Sequence, residues 1–318
     1  MASDAPRSGF AGLFVPMVTP LRPDGAIDAD STASLARHFA DTPGVAGLVT
    51  GARIGEGPAL SFDEHVAVTR AVREEVGPDY PIIASILPRT AEDGARQSER
   101  LAEAGADALM VFPPLLLAWG QVPERVKIAF WEDLAAASAL PLVLFQIPLS
   151  NYWYEPVTCA EIARLDKVIS MKEASFDARR YSATVEAVRD AGADMTILNG
   201  NDRFVAEGAL LGAEGALIGI ANLLPDAWAD ILRLAAEHRA AEAVALQKRL
   251  HRLQELIFRE PILDAVARIK VVLADEGVIA DPHVRRPQLG VDEQERKALL
   301  DGYRAVRESV EAFDAAAV

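Results

Sequence analysis

Short apolar runs alternate along this chain with longer segments in which apolar residues recur every three or four positions. The short runs are rich in valine, isoleucine and leucine and predict buried β-strands, whereas the longer segments predict amphipathic helices. Such alternation is typical of parallel strands joined by helical crossovers. The predicted strands are residues 12–18, 47–50, 82–86, 108–112, 142–146, 168–171, 195–198 and 216–220.

The segments between the strands carry the polar residues that begin helices. Asp28 and Ser61 start the predicted helices 28–39 and 61–76, and Glu64 follows Ser61 by three residues, as a capping box requires. Similar helical patterns follow each later strand. Eight strand–helix units favour an α/β fold of the (β/α)8 TIM-barrel type over an open doubly wound sheet, which usually has five or six strands.

The pattern after residue 225 is helical, with predicted helices over 227–238, 240–258, 262–276 and 292–313. The first of these serves as the eighth barrel helix. We therefore predict a (β/α)8 barrel over residues 1–238 and a C-terminal helical extension over 239–318 that packs on the barrel, with no linker between them. The apolar faces of the additional helices must be covered by the barrel or by another subunit.

Composition and charge exclude several classes of protein. The 318 residues are 51% hydrophobic and 25% charged, which is ordinary for a globular protein and excludes disordered and collagen-like chains. The formal net charge of −15 makes nucleic acid and anionic membranes unfavourable partners. The longest apolar stretch, residues 108–119, contains Pro113 and Pro114 and is shorter than the roughly 20 residues of a membrane-spanning helix.

Cysteine and histidine usage argues against a metal site or a disulfide. Cys159 is the single cysteine, so it forms no intrachain disulfide, which fits a cytoplasmic protein. The five histidines fall in predicted helices or the C-terminal tail, and no dinucleotide-binding or P-loop glycine motif follows a strand. Residues 1–10 contain no apolar run of the kind that a secretory signal needs, so we expect none there.

In an α/β barrel the active site is built at the carboxyl ends of the strands. Lys172 follows the apolar run 168–171, at the point where the sixth strand reaches the barrel mouth. Desolvation of a lysine lowers its pKa, and the neutral amine attacks a carbonyl to form a Schiff base. The alternative is an ion pair of Lys172 with a carboxylate such as Glu173 or Glu56, and the pattern alone does not separate the two.

Several short segments share their order with a known family. They are residues 18–20 (VTP), 24–28 (DGAID), 55–56 (GE), 60–64 (LSFDE), 145–148 (FQIP), 169–173 (ISMKE), 199–202 (NGND), 212–216 (GAEGA), 268–270 (RIK) and 286–287 (RP). Together they resemble, over nearly the whole chain, the pyruvate-dependent class I aldolases typified by dihydrodipicolinate synthase and N-acetylneuraminate lyase.

This resemblance implies that Lys172 is the Schiff-base lysine, that the substrate is a 2-oxo acid and that no metal or organic cofactor is required. It also implies a homotetramer, or a dimer. An iminium at C2 of a 2-oxo acid acidifies C3, so that a C3–C4 bond is made or broken or a C4 substituent is expelled. Aldol cleavage and dehydration share this intermediate, and the acid and base residues around it decide between them.

The sequence departs from the family where substrate specificity lies. The family's G-T-T-G-E loop, which holds the substrate carboxylate, aligns with residues 52–56 (ARIGE). Arg53 therefore takes the place of a threonine, and its guanidinium suits a bidentate pair with a carboxylate, although an outward-facing surface charge is the alternative. The family's proton-shuttling tyrosine aligns with Phe145, and its partner tyrosine after strand four is also absent. The arginine with which dihydrodipicolinate synthase binds its aldehyde substrate falls near Ser150.

Other polar residues near the strand ends have structural interpretations. Tyr152 belongs to a Tyr-Trp-Tyr run that suits a packing or subunit-contact cluster as well as a catalytic phenol. We expect Glu56 to hold its loop by hydrogen bonds and Glu173 to face away from Lys172, because side chains alternate along a strand. One of Asn199, Asn201 and Asp202 is expected to cap the helix after strand seven.

We therefore predict a Schiff-base-forming lyase that acts on a 2-oxo acid, by aldol cleavage or condensation or by dehydration of a deoxy-sugar acid, and that is not dihydrodipicolinate synthase itself. The alternatives are an inactive family member that binds a 2-oxo acid as a sensor or scaffold, and a barrel enzyme that uses Lys172 only as a charge. The predicted catalytic residues are Lys172, Ser150 and Tyr152. The predicted substrate-binding residues are Thr19, Arg53, Ile54, Phe145, Gln146, Asn201 and Ile218.

Overall fold

A computed structural model describes residues 9–147, 149 and 152–313 of the chain. Its parallel strands are β1 (Gly12–Pro16), β2 (Val45–Thr50), β3 (Ile82–Ile86), β4 (Ala108–Val111), β5 (Leu142–Gln146), β6 (Val168–Glu173), β7 (Thr196–Asn199) and β8 (Gly215–Leu217). They follow one another around a closed barrel, and β1 pairs with both β2 and β8. The predicted (β/α)8 barrel is confirmed, because an open sheet would leave the first and last strands unpaired.

A helix follows each strand and covers the outside of the barrel. These helices are α1 (Ala29–Ala40), α2 (Phe62–Val76), α3 (Ala91–Glu103), α4 (Glu124–Ala137), α5 (Pro156–Ile162), α6 (Ala178–Asp190), α7 (Val205–Leu210) and α8 (Pro225–Ala236). The Asp28 side chain accepts a hydrogen bond from the Ser31 amide, and Ser61 and Glu64 form the predicted capping box of α2. The local signals for these two helix starts are therefore confirmed.

Five strands, β1, β4, β6, β7 and β8, end one to three residues away from the sequence-based bounds, and the differences in β6 and β8 concern predicted site residues. β6 continues to Glu173, so Lys172 lies inside the paired strand rather than beyond it. β8 stops at Leu217, and a 3-10 turn over Gly219–Asn222 follows it. Ile218 lies in the link between strand and turn, and its extended backbone continues the alternation of β8. Its side chain is therefore on the outer face with Ala216, opposite Leu217 in the barrel interior.

Side chains from alternate strand positions fill the barrel and make its interior a packed apolar core. They include Phe14, Val49, Ile83, Met110, Val143, Leu198 and Leu217. The barrel closes where β8 meets β1, and a Cβ atom on Gly215 would lie only 2.1 Å from the Gly12 carbonyl oxygen. Glycine at position 215 is therefore required for this close approach of the two backbones.

The chain after α8 forms α9 (Ala240–Phe258), α10 (Ala265–Asp275) and α11 (Glu293–Glu311), which agrees with the helical tail predicted from the sequence. These helices share one hydrophobic cluster with α1, α8 and the outer faces of β1 and β8, so the barrel covers their apolar sides. The predicted boundary at residue 238 falls between α8 and α9, and the two-part division of the chain stays a prediction. Within the described residues, no helix combines the length and apolarity that crossing a membrane demands.

A buried ion pair joins the extension to the loop after β2. The Lys270 ammonium on α10 donates to the Glu56 carboxylate, and neither side chain is reached by solvent. Glu56 also accepts hydrogen bonds from the Arg285 amide at 2.9 Å and from the Gln288 side chain at 3.3 Å. The Glu56 carboxylate thus has a structural role, as expected, but among the described residues the partners of its side chain come from the distant C-terminal segment and not from its own loop.

We expect Glu56→Gln to lower the free energy of unfolding by about 3–5 kcal/mol, because it leaves the Lys270 ammonium buried without a counter-charge. Glu255→Gln on α9 is the matched control, since the ion pair of Glu255 with Arg252 is exposed and contributes less than about 1 kcal/mol. Urea denaturation measures both variants. Equal losses in the two would contradict the structural role assigned to Glu56.

Candidate active site

Lys172 projects from β6 toward the interior at the carboxyl end of the barrel. Its register partner on β5 is Phe145, and the Lys172 Nζ atom lies 4.5 Å from the centre of the Phe145 ring. On the β7 side, Gly200 leaves room for the Lys172 side chain, because a Cβ atom at this position would lie 2.9 Å from the Lys172 Cε and Cγ atoms. A phenyl ring on one side and a glycine on the other therefore define the channel in which the lysine lies.

The ion pair of Lys172 with Glu56 or Glu173 does not form. Glu56 is bound to Lys270, and Glu173 faces the opposite side of β6, as the alternation of side chains predicts. Glu173 is completely buried and accepts one hydrogen bond from the Ser175 amide at 3.3 Å, and burial raises its pKa to about 7. Within the described residues Lys172 has no hydrogen-bonded carboxylate. The interpretation of Lys172 as the partner of Glu173 or Glu56 in an ion pair is therefore wrong.

The charged groups around Lys172 set the state of its amine. Desolvation at the barrel mouth lowers its pKa to about 8, the positive charge of Arg53 acts in the same direction, and the negative charge of Asp202 opposes both. Burial raises the pKa of Asp202 against the opposing charges of Lys172 and Arg53. Lys172, Asp202 and Arg53, at the ends of β6, β7 and β2, thus interact electrostatically with one another.

Asp202 is held rigidly in the loop after β7. Its Oδ1 atom accepts a hydrogen bond from the Ile220 amide at 2.8 Å, and its carbonyl oxygen accepts one from Gln254 on α9 at 2.6 Å. Arg53 lies across the mouth, where its side chain is exposed to solvent while nearby protein atoms lower its pKa by desolvation. Its charge interacts with those of Asp202 and Lys172, and its role as a carboxylate-binding group stays a prediction.

Three of the predicted binding residues, Thr19, Ile54 and Asn201, make contacts within the loops at the barrel mouth. The Thr19 hydroxyl donates to the Gly55 carbonyl oxygen at 2.6 Å and ties the end of β1 to the β2 loop. Ile54 is almost completely buried and packs against Gly219, where a Cβ atom would collide with the Ile54 side chain. The Asn201 Oδ1 atom accepts from the Arg203 amide at 3.0 Å, in the loop that precedes α7. The N-cap of α7 is Phe204, so the expected cap by Asn199, Asn201 or Asp202 is wrong.

Gln146 and Ile218 do not face the barrel mouth. The Gln146 amide is fully buried and makes two hydrogen bonds with the backbone of Tyr154, donating to its carbonyl oxygen at 2.9 Å and accepting from its amide at 3.0 Å. It has a structural role in place of the predicted contact with substrate, because it points to the outside of β5 while Phe145 points inward. Ile218 is likewise buried, in the core between the strands and the outer helices.

The predicted catalytic groups after β5 have different outcomes. Ser150 lies outside the described residues. Tyr152 is partly buried and packs against the apolar cluster of the barrel interior, and its catalytic role stays a prediction. The next two residues are structural, since the Trp153 indole donates to the Ile147 carbonyl oxygen and the Tyr154 ring is buried against Trp131.

Asp202 is the charged residue at this mouth that the predicted site omits. The sequence contains a usable signal, because the segment 199–202 resembles the family's G-x-D motif after strand seven. The sequence-based interpretation of this residue as a candidate helix cap is wrong, because its side chain accepts from the Ile220 amide and the N-cap of α7 is Phe204. The charge of Asp202 interacts instead with the charges of Lys172 and Arg53.

The donor set gives no metal centre in the described part of the chain, where no three His, Cys, Asp or Glu side chains cluster suitably. The buried His65 lies near Thr50, with its Nε2 atom 3.3 Å from the hydroxyl, and burial lowers its pKa to about 4. This histidine is therefore a neutral core residue. The chemistry of the mouth consists of an amine, a carboxylate, a guanidinium and an aromatic ring.

The fold and the site define a closed (β/α)8 barrel with a desolvated lysine at the carboxyl end of its strands. The sequence profile of the Dihydrodipicolinate synthetase family matches residues 9–305, and the chain belongs to this family. The 4-hydroxy-tetrahydrodipicolinate synthase of a Synechococcus strain is 30% identical over 311 residues, which cover 96% of this chain and 98% of that protein. An uncharacterised DapA-like lyase of Halobacterium salinarum is 29% identical over 292 residues, which cover 92% of each.

Solved structures agree with the family assignment. The dihydrodipicolinate synthase of Acinetobacter baumannii, determined in complex with pyruvate, is 25% identical, with a TM-score of 0.84 over 93% of this chain and 99% of that chain. A monomeric dihydrodipicolinate synthase variant has a TM-score of 0.86 at 21% identity, over 98% of this chain and 100% of the other, which concerns the fold alone. Both the strand order and the C-terminal helices are therefore features that this chain has in common with the family.

The charges of Asp202 and Arg53 predict how substitutions at these two residues change the pKa of the Lys172 amine. We expect a pKa near 8, a lower pKa in Asp202→Asn, where the stabilising negative charge is lost, and a higher pKa in Arg53→Gln, where the opposing positive charge is lost. Competitive acetylation across a pH series, read by peptide mass, measures this pKa. Identical pKa values in the wild-type protein and both variants would contradict the shared field.

Proposed function

We propose that the protein is a Schiff-base-forming lyase that acts on a 2-oxo acid, by aldol cleavage or condensation or by dehydration of a deoxy-sugar acid. The observation that carries this proposal is the Lys172 amine, which lies at the barrel mouth with a pKa of about 8 and without a hydrogen-bonded carboxylate among the described residues. About a tenth of such an amine is neutral at pH 7. That fraction is available as a nucleophile toward a carbonyl carbon.

The proposed reaction begins when the neutral Lys172 amine adds to C2 of the 2-oxo acid; with the uptake of one proton a water molecule leaves, which gives a protonated imine on Nζ. In dehydration a base removes a proton from C3, the electrons of that bond form an enamine, and the enamine expels the C4 hydroxyl group, which takes up a proton and leaves as water. In aldol cleavage a base removes the proton of the C4 hydroxyl group, the C3–C4 bond breaks, C4 leaves as an aldehyde, and C3 of the resulting enamine takes up a proton. In either case one water molecule hydrolyses the imine, releases the 2-oxo acid product and restores the amine.

The side chains around the lysine suit this sequence of charges. The Arg53 guanidinium supplies the cation that pairs with the C1 carboxylate of the substrate. The Phe145 ring lies 4.5 Å from Nζ, so its π face attracts the positive charge of the imine nitrogen. Asp202 is the carboxylate whose field reaches Nζ, and we assign it the transfer of protons that the tyrosine performs in the resembling family.

Three differences support an activity other than that of dihydrodipicolinate synthase. Phe145 stands where the resembling enzymes have a proton-shuttling tyrosine, and Arg53 stands where they have a threonine. The position of their aldehyde-binding arginine falls near Ser150, which has no positive charge. A substrate with a second carboxylate would therefore lack the cation that the family enzyme uses for it.

Borohydride reduction in the presence of pyruvate tests the imine directly. We expect a pyruvyl adduct on Lys172, found by intact mass and peptide mapping, and no adduct in Lys172→Ala. Lys167→Ala is the matched control, because Lys167 precedes the same strand at its amino end and contacts the Ser138 carbonyl oxygen. An adduct that persists in Lys172→Ala, or the lack of one with every 2-oxo acid tried, would overturn the proposed function.

The second candidate is an inactive family member that binds a 2-oxo acid as a sensor or scaffold, and the aromatic ring in place of the shuttle tyrosine favours it. Exchange of the pyruvate methyl protons in D2O separates the two, because only an enamine-forming enzyme catalyses it. We expect exchange by the wild-type protein and a decrease of about a hundredfold or more in Asp202→Asn. Asp107→Asn, which removes a partly buried carboxylate paired with Arg73 at the amino end of β4, is the control.

Exchange that is equally fast in Asp202→Asn would remove Asp202 from the proton transfer, and no exchange by any form would favour the inactive candidate. Assembly into a homotetramer or dimer and a location in the cytoplasm stay predictions. They rest on the resemblance and on the single buried cysteine, and sedimentation of the full chain tests the first of them.

A further inference from the structure

We infer that the 2-oxo acid taken by this site carries an aryl or other apolar, uncharged group on C4, which binds against an aromatic wall formed by Phe112, Phe145 and Tyr152. This inference rests on the proposed function, since it describes the substrate of the same site. It assigns a chemical class to the part of the substrate that the lysine and the arginine do not touch.

The aromatic wall lies directly beside the nucleophile. Phe145 faces the Lys172 Nζ atom, and Phe112 meets the Phe145 ring edge to face with a centroid distance of 4.9 Å. Phe112 and Tyr152 are only partly buried, and both pack against the apolar cluster of the barrel interior. The wall therefore presents accessible aromatic surface within a few ångströms of the atom that would hold C2.

The loops that extend the wall contain no charged residue. Residues 112–122 after β4 and 147–154 after β5 include no Asp, Glu, Lys or Arg. Among the described residues of these loops, Leu115, Leu116 and Leu149 have more than half of their surface exposed. The cations that contact the second loop, Lys127 and Arg180, are already paired with Glu124 and Glu155. A phosphate or second carboxylate on the substrate would have to displace these partners, whereas an aryl group would remove apolar surface from water.

The charges of the mouth come from the opposite sector. Arg53 follows β2 and Asp202 follows β7, while β4 and β5 are neighbours on the other side of the closed barrel. A bound 2-oxo acid would thus have its carboxylate toward Arg53, its C2 atom at Lys172 and the remainder of the chain toward Phe112. Edge-to-face contact with Phe112 and Tyr152 is the geometry that aromatic pairs prefer.

The test uses 2-hydroxy acids, which have the same carboxylate but cannot form an imine. We expect calorimetry to give at least tenfold tighter binding of 2-hydroxy-4-phenylbutanoate than of 2,4,5-trihydroxypentanoate, or about 1.4 kcal/mol. Phe112→Ala is expected to reduce this ratio severalfold, and Phe112→Leu gives an intermediate ratio if the alanine variant does not fold. Phe130→Ala is the matched control, because Phe130 is also partly buried but lies on α4 against Trp131.

Equal or tighter binding of the trihydroxy acid, no measurable binding of either acid, or an unchanged ratio in both Phe112 variants would overturn the inference. Borohydride trapping of the two corresponding 2-oxo acids on Lys172 is measured in parallel and reports on the proposed function alone. A preference for the aryl acid without an imine would support the aromatic wall and contradict the proposed lyase function. An imine together with a preference for the polar acid would support the lyase function and contradict the aromatic wall.

Discussion

The hydrogen bonding of β1 to β8 closes the sheet, and the position of every functional group follows from that closure. In a closed parallel barrel all strands end at one mouth, so residues far apart in the chain become neighbours. Arg53, Lys172 and Asp202 come from three different strand ends and share one electrostatic field for this reason. The contact between the backbones of Gly12 and Gly215 is thus a condition for the site as well as for the fold.

The closed barrel also decides which state of Lys172 is stable. An ammonium group removed from bulk water loses hydration, and a direct carboxylate partner would restore the charged form. Here both adjacent glutamates are engaged elsewhere, Glu56 with Lys270 and Glu173 on the outer side of the strand. The charge of Asp202 offsets the desolvation only in part, so the amine has a pKa of about 8 and is partly neutral near physiological pH.

The C-terminal extension fixes the two loops that carry the other charges. Gln254 on α9 donates to the carbonyl oxygen of Asp202, and Lys270 on α10 donates to Glu56, three residues after Arg53. Both contacts are polar, the first partly and the second fully buried, so their orientation depends on the packing of α9 and α10 against the barrel. The extension thereby links the stability of the fold to the geometry of the mouth, although its helices contribute no side chain to the reacting atoms.

Local patterns in the sequence determined the eight strands, the helix starts at Asp28 and Ser61, the helical tail and the position of Lys172, because strand periodicity and capping depend on neighbouring residues. The same periodicity correctly directed Glu173 away from the mouth. The outward positions of Gln146 and Ile218 follow from the same alternation along β5 and β8. Tertiary structure decided the distant partners: Glu56 binds Lys270, and the charge of Asp202 acts on Lys172 and Arg53. These groups are far apart in the chain and come close only because the barrel closes and the extension packs on it, which no local pattern encodes.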